Sequence, residues 1–162
     1  MAAAHVLFVV VETGARWPIW LNEMQRVVPD VVVVAADRDS TPAELALRVL
    51  HRLQSLEAEG THVEFAAVLA GTSAATDEVF EARCLVARAV LRHMATTGTG
   101  KLAFSAPSSL ADSARHELMA LVGTLTDQLV GTKMSISIRF GDSRQSQELR
   151  ASRGKAGMGR VA

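Results

Sequence analysis

Glu12 and Asp37 follow the first and second apolar runs of the chain, which makes them the one carboxylate pair with a reason to be neighbours. Two carboxylates at adjacent strand ends can hold a cation or share acid and base roles. Thr13, Arg16 and Trp17 come directly after Glu12, Gly71, Thr72 and Ser73 follow the third run, and Ser105 lies at the end of the fourth. An arginine beside an indole, several hydroxyls and a glycine opening a helix start suit a small anion, which backbone N–H groups at a helix N-terminus attract. These nine residues are the candidate ligand site. The same residue types also serve as ordinary caps and turns.

Other chemistries lack their parts. There is no G-x-x-x-x-G-K-[ST] loop, no G-x-G-x-x-G turn and no G-x-S-x-G elbow in the chain. Gly98-Thr99-Gly100-Lys101 precedes the fourth apolar run, which puts it at the wrong end of a sheet for a ligand loop. Cys84, the single cysteine, falls inside a helical stretch at the margin of its apolar arc, as a small buried hydrophobe does. The five histidines are scattered and none shows metal-ligand spacing, so no metal or other cofactor is expected.

The elements that must position these residues are clear. Five apolar runs (His5 to Val11, Val31 to Ala36, Val63 to Ala70, Leu102 to Ala106 and Met134 to Phe140) alternate with four amphipathic stretches. Strands alternating with helices imply parallel pairing, because each crossover returns the chain to the same edge. The expected fold is a three-layer α/β sandwich with a mostly parallel five-stranded sheet, on a flavodoxin-like or Rossmann-like plan. In the last run Met134, Ile136, Ile138 and Phe140 alternate with Ser135, Ser137 and Arg139, which predicts an edge strand with one wet face. Helix starts are marked at Thr41-Pro42-Ala43-Glu44, a capping box with proline at the first helical position, and more weakly at Ser109 to Asp112. Receiver domains of response regulators share this plan, but their phosphoacceptor Asp would end the third strand, where this chain reads Val68-Leu69-Ala70-Gly71-Thr72.

The third amphipathic stretch, about Thr76 to Met94, spreads its apolar residues over roughly 260° of the helix circumference, far more than a stripe facing a sheet needs. Either neighbouring helices cover its flanks or it meets a second copy of the chain through Val79, Arg83, Val86, Val90 and Leu91, and a homodimer is the expectation. Arg83 falls within the apolar arc, so it must reach water along its stem or meet a carboxylate.

The formal charge is zero, yet from Ser143 onward Arg144, Arg150, Arg153, Lys155 and Arg160 stand against Glu148 alone. The body is mildly acidic, which argues against a nucleic-acid groove. Residues 1–142 are expected to form one domain and 143–162 a flexible basic tail. No apolar run reaches the roughly 20 residues that span a bilayer, and the opening residues lack a signal's basic region, so a cytoplasmic protein is expected. Three functions fit: a non-catalytic regulatory or protein-interaction module, a binder of a small anionic or nucleotide-like ligand, or a small hydrolase or transferase using Glu12, Asp37 and Thr72-Ser73.

Overall fold

The computed structural model describes residues 4–71, 76–141 and 148–150. In chain order they form β1 (Ala4–Val11), α1 (Ile19–Val27), β2 (Val31–Ala35), α2 (Pro42–Ala58), β3 (Thr61–Leu69), α3 (Asp77–Ala95), β4 (Thr99–Ala106), α4 (Asp112–Gln128), β5 (Lys133–Phe140) and β6 (Glu148–Arg150). The strands lie in the order β2-β1-β3-β4-β5-β6. The first five are parallel and β6 runs antiparallel to β5. The chain is thus an α/β protein on a Rossmann-like plan.

Continuous apolar strands arise because helices cover both faces. Phe8 and Val10 of β1 join Val49 and Leu53 of α2, Val86 and Val90 of α3, and Leu118 and Leu121 of α4 in the larger core. Leu7 and Val9, pointing the other way, pack with Leu21 of α1, Phe65 and Leu69. The layers are therefore unequal: three helices on one face and α1 on the other.

The capping box at Thr41 is present, with the Thr41 hydroxyl accepting from Glu44 N–H at 3.1 Å and the Glu44 carboxylate accepting from Thr41 N–H at 2.8 Å. The weaker cap expected at Ser109 to Asp112 is not: α4 begins after Ala111, which offers no side-chain acceptor.

Ile136, Ile138 and Phe140 are buried, as the alternation of β5 predicts, while Ser135, Ser137 and Arg139 are half-buried rather than fully wet, with the Arg139 guanidinium 4.3 Å from the centroid of the Trp20 ring. β5 is the outermost of the five parallel strands, but the edge expected there is covered by β6, which pairs with Ser137, Ile138 and Arg139. A three-residue piece of the expected tail is therefore strand; residues 142–147 and 151–162 lie outside the described residues.

The expected interface on α3 is corrected. Arg83, Val86, Val90 and Leu91 are buried within the chain itself, at 4, 4, 0 and 8% exposure, and Val79 is half-buried against the cavity described below. The wide apolar arc exists because α3 is the middle helix of three on its face and packs on α2 as well as on the sheet.

Candidate functional site

Strand order reverses beside β1: the chain leaves β1 for β2 on one side and returns to β3 on the other. Ligands of open α/β sheets bind beyond the carboxyl ends of the strands at such a point. A cavity of about 220 Å³ opens there, on the side covered by α2 and α3. Val10 and Val68 of the strands, Ala36, Leu45 of α2, and Val79, Ala82 and Val86 of α3 give it apolar walls, while Glu12, Thr13, Arg38, Ser40, Thr41 and Arg83 supply polar groups.

Glu12 and Arg83 are joined directly. Arg83 Nε donates to Glu12 Oε2 at 2.8 Å and Nη2 to Oε1 at 2.7 Å. Gly71 N–H donates to the same Oε1 at 3.0 Å. Both side chains are secluded, with 4% exposure for Arg83 and 14% for Glu12. Burial opposes charge on the guanidinium, but the hydrogen bond and charge of Glu12, with the more distant Glu117, outweigh it and hold Arg83 above the ordinary arginine value. The cavity floor is consequently a neutralised pair, and a bound anion would meet no bare carboxylate.

Two hydroxyls at the rim are already used as acceptors, Ser40 by Asp37 N–H at 2.9 Å and Thr41 by Glu44 N–H at 3.1 Å. A hydroxyl that accepts from the backbone keeps its own O–H to donate. With the exposed Arg38 beside them, the rim offers donors over an apolar interior.

Of the residues expected to bind ligand, Glu12 and Thr13 line the cavity and Gly71 fixes Glu12. Asp37 does not meet Glu12; it lies 3.8 Å from Arg48 at the surface, while Glu12 is occupied by Arg83, so the carboxylate-pair chemistry is corrected. Arg16 and Ser105 border a separate crevice of about 30 Å³ with Pro18 and Pro107. Trp17 is on the α1 side, its indole N–H donating to Asn22 Oδ1 at 3.0 Å, so it too is removed from the cavity. Thr72 and Ser73 lie outside the described residues. Arg38, Ser40, Thr41 and Arg83 also line the cavity and are not among the nine candidate residues. The signal for Arg83 was a charge inside an apolar arc; that for Arg38 and Ser40 was their place in the loop after the second apolar run, at the carboxyl end of a strand where open α/β sheets bind ligands.

The histidines are less scattered than their spacing suggests. At the other end of the sheet His62 stacks on His93 with centroids 5.8 Å apart and meets the edge of His5 at 5.6 Å. His93 Nε2 accepts from Val63 N–H at 3.1 Å, which leaves Nδ1 to face Glu57 Oε2 at 3.3 Å. Burial, followed by the charges of His93 and His5, lowers the His62 pKa. Among the described residues no cluster of three or more His, Cys, Asp or Glu could hold a metal ion. Burial raises the Cys84 thiol pKa, away from nucleophilic use. Among the described residues no helix is long and apolar enough to cross a membrane.

No family model matches the chain, and no curated protein matches it. Among solved structures it is similar to the crystal structure of a short-chain dehydrogenase from Rhodopseudomonas palustris, with a TM-score of 0.57 and 16% identity over 86% of this chain and 85% of that one. A likeness at that identity carries the fold, a Rossmann-like α/β sheet, and stops there.

Proposed function

We propose that the chain is a regulatory α/β module that senses a small ligand with an apolar body and an anionic group, bound between α2 and α3 at the carboxyl ends of β1, β2 and β3. The observation that carries this reading is the cavity at the switch point, apolar inside and edged by donors. The apolar body would displace water from Val10, Val68 and Ala82. The anionic group would meet Arg38 and the free O–H donors of Ser40 and Thr41, with Glu12 kept from repelling it by Arg83. Closing on such a ligand would tie the end of β2 to α3, the kind of change a regulatory module transmits.

A thermal-shift panel of mononucleotides, sugar phosphates and small aromatic carboxylates, followed by calorimetry on any hit, tests this. Arg38→Ala should weaken a bound anion about tenfold, as loss of one charge-assisted hydrogen bond does. Ala82→Met should fill the cavity and abolish binding while the fold persists. Binding that ignores Ala82→Met, or a panel without a hit, defeats the proposal.

A further inference from the structure

The outer edge of β2 is unlike the rest of the surface. Among the described residues nothing pairs with it, and Val31-Val32-Val33-Val34-Ala35 contains no lysine, proline or other device that blunts an open edge. Val33 is 49% exposed. An uncharged β-branched edge of this kind templates another strand unless something covers it.

Which backbone groups it offers follows from its bonds to β1. Asp30 C=O accepts from Leu7 N–H and Ala36 N–H donates to Val11 C=O, so the even-numbered residues turn their main-chain groups inward. By the two-residue period of a strand, Val31, Val33 and Ala35 turn theirs outward. We propose that this edge pairs antiparallel with the same edge of a second copy of the chain, on a two-fold axis through Val33, to form one continuous sheet across a homodimer.

The occupant is a second copy because the edge complements itself in one register. With Val33 opposite the partner's Val33 and Val31 opposite the partner's Ala35, every outward N–H meets an outward carbonyl. Sliding by two residues one way sets Ala35 against the partner's Pro29, which has no N–H. Sliding the other way sets Val31 against the partner's Asp37, whose N–H is already held by Ser40 Oγ at 2.9 Å.

The same register is complementary in charge. It puts Asp30 of each protomer opposite the partner's Ala36, on the sheet face covered by α2 and one residue from the partner's Asp37. Arg48 of α2 stands there, 3.8 Å from Asp37 and 45% exposed, so each Arg48 gains a second carboxylate across the interface. A contact through one strand and its flanking helix is small beside the roughly 1,000 Å² of a stable interface, so a weak, concentration-dependent dimer is expected. This association is independent of any ligand in the cavity.

Sedimentation equilibrium of the full chain from about 5 to 500 μM, combined with residue-resolved hydrogen exchange, tests the proposal. The expected result is a concentration-dependent dimer in which the amides of Val31, Val33 and Ala35 slow in step with dimer formation, while those of Val32 and Val34, bonded to β1, are slow throughout. Val33→Lys sets two cations face to face on the axis and should give a monomer. Val33→Pro removes an outward donor without adding charge, at an edge position where proline is tolerated, and should do the same. A chain monomeric across the range overturns the proposal. So does a dimer in which the three amides stay fast, a dimer that survives Val33→Lys in a folded protein, or protection of the edge by a co-purifying extended peptide at monomer mass. Should either variant fail to fold, the exchange pattern of the wild-type chain decides alone.

Discussion

At the scale of single residues, the Glu12–Arg83 pair dominates. Removing one partner of a buried pair leaves the other charged and unsolvated, which costs about 3–5 kcal/mol, whereas replacing both is near neutral. Arg83→Ala should therefore lower urea-derived stability by about 3–5 kcal/mol. Adding Glu12→Gln to Arg83→Met should restore most of that loss, because a glutamine oxygen still accepts from Gly71 N–H. A double variant as unstable as Arg83→Ala would show that the pair itself, not the unpaired charge, stabilises the fold. Half of this was legible beforehand: an arginine inside an apolar arc demands a carboxylate or water. That the carboxylate is Glu12, 71 positions away, was set by the β1–β3 pairing.

At the scale of elements, the close approach of the β3 end to the β1–α1 loop shapes the cavity floor. A Cβ on Gly71 would overlap the Thr13 carbonyl oxygen, a backbone atom that cannot swing aside. Gly71→Ala should push that loop from β3, loosen the hydrogen bond to Glu12 and cost at least about 2 kcal/mol, measured by thermal or urea unfolding. A stability change below half a kilocalorie would mean the loop relaxes freely and does not set the site. Nothing in the local sequence required glycine here, since its backbone is not left-handed; the demand comes from Thr13, a neighbour only in space. The α2 start was readable because a capping box is local. The α4 start was not, because Ala111 gives a cap no chemistry.

At the scale of the whole molecule, the histidine cluster ties the amino-terminal ends of β1 and β3 to the last turn of α3 and, through Glu57, to α2. His62 has a lowered pKa in the fold, so between that value and the unfolded value of about 6.5 the unfolded chain binds more protons. Stability then falls as pH drops through and below about 6.5, and the loss is complete once folded His62 also protonates. His62→Asn should flatten that part of a stability-versus-pH curve measured by chemical denaturation. An unchanged slope between pH 7 and 5 would assign the acid sensitivity elsewhere. Histidine spacing could not foretell this cluster, since its members sit on three separate elements brought together by the sheet register.

Periodicity is a local property, and for this chain it determined the alternation of strand and helix, the two-sided burial of β1, the capped start of α2 and the half-wet face of β5. Each rests on side chains a few residues apart, whose directions follow from helix and strand geometry. The tertiary structure alone decided that three helices share one face, which turned the apolar arc of α3 from a candidate interface into core. It also decided that Glu12 pairs with Arg83 rather than Asp37, that β6 covers β5 and that β2 is left as the open edge. Those outcomes depend on strand order, and strand order is fixed by contacts between residues distant in the chain, which no local pattern encodes.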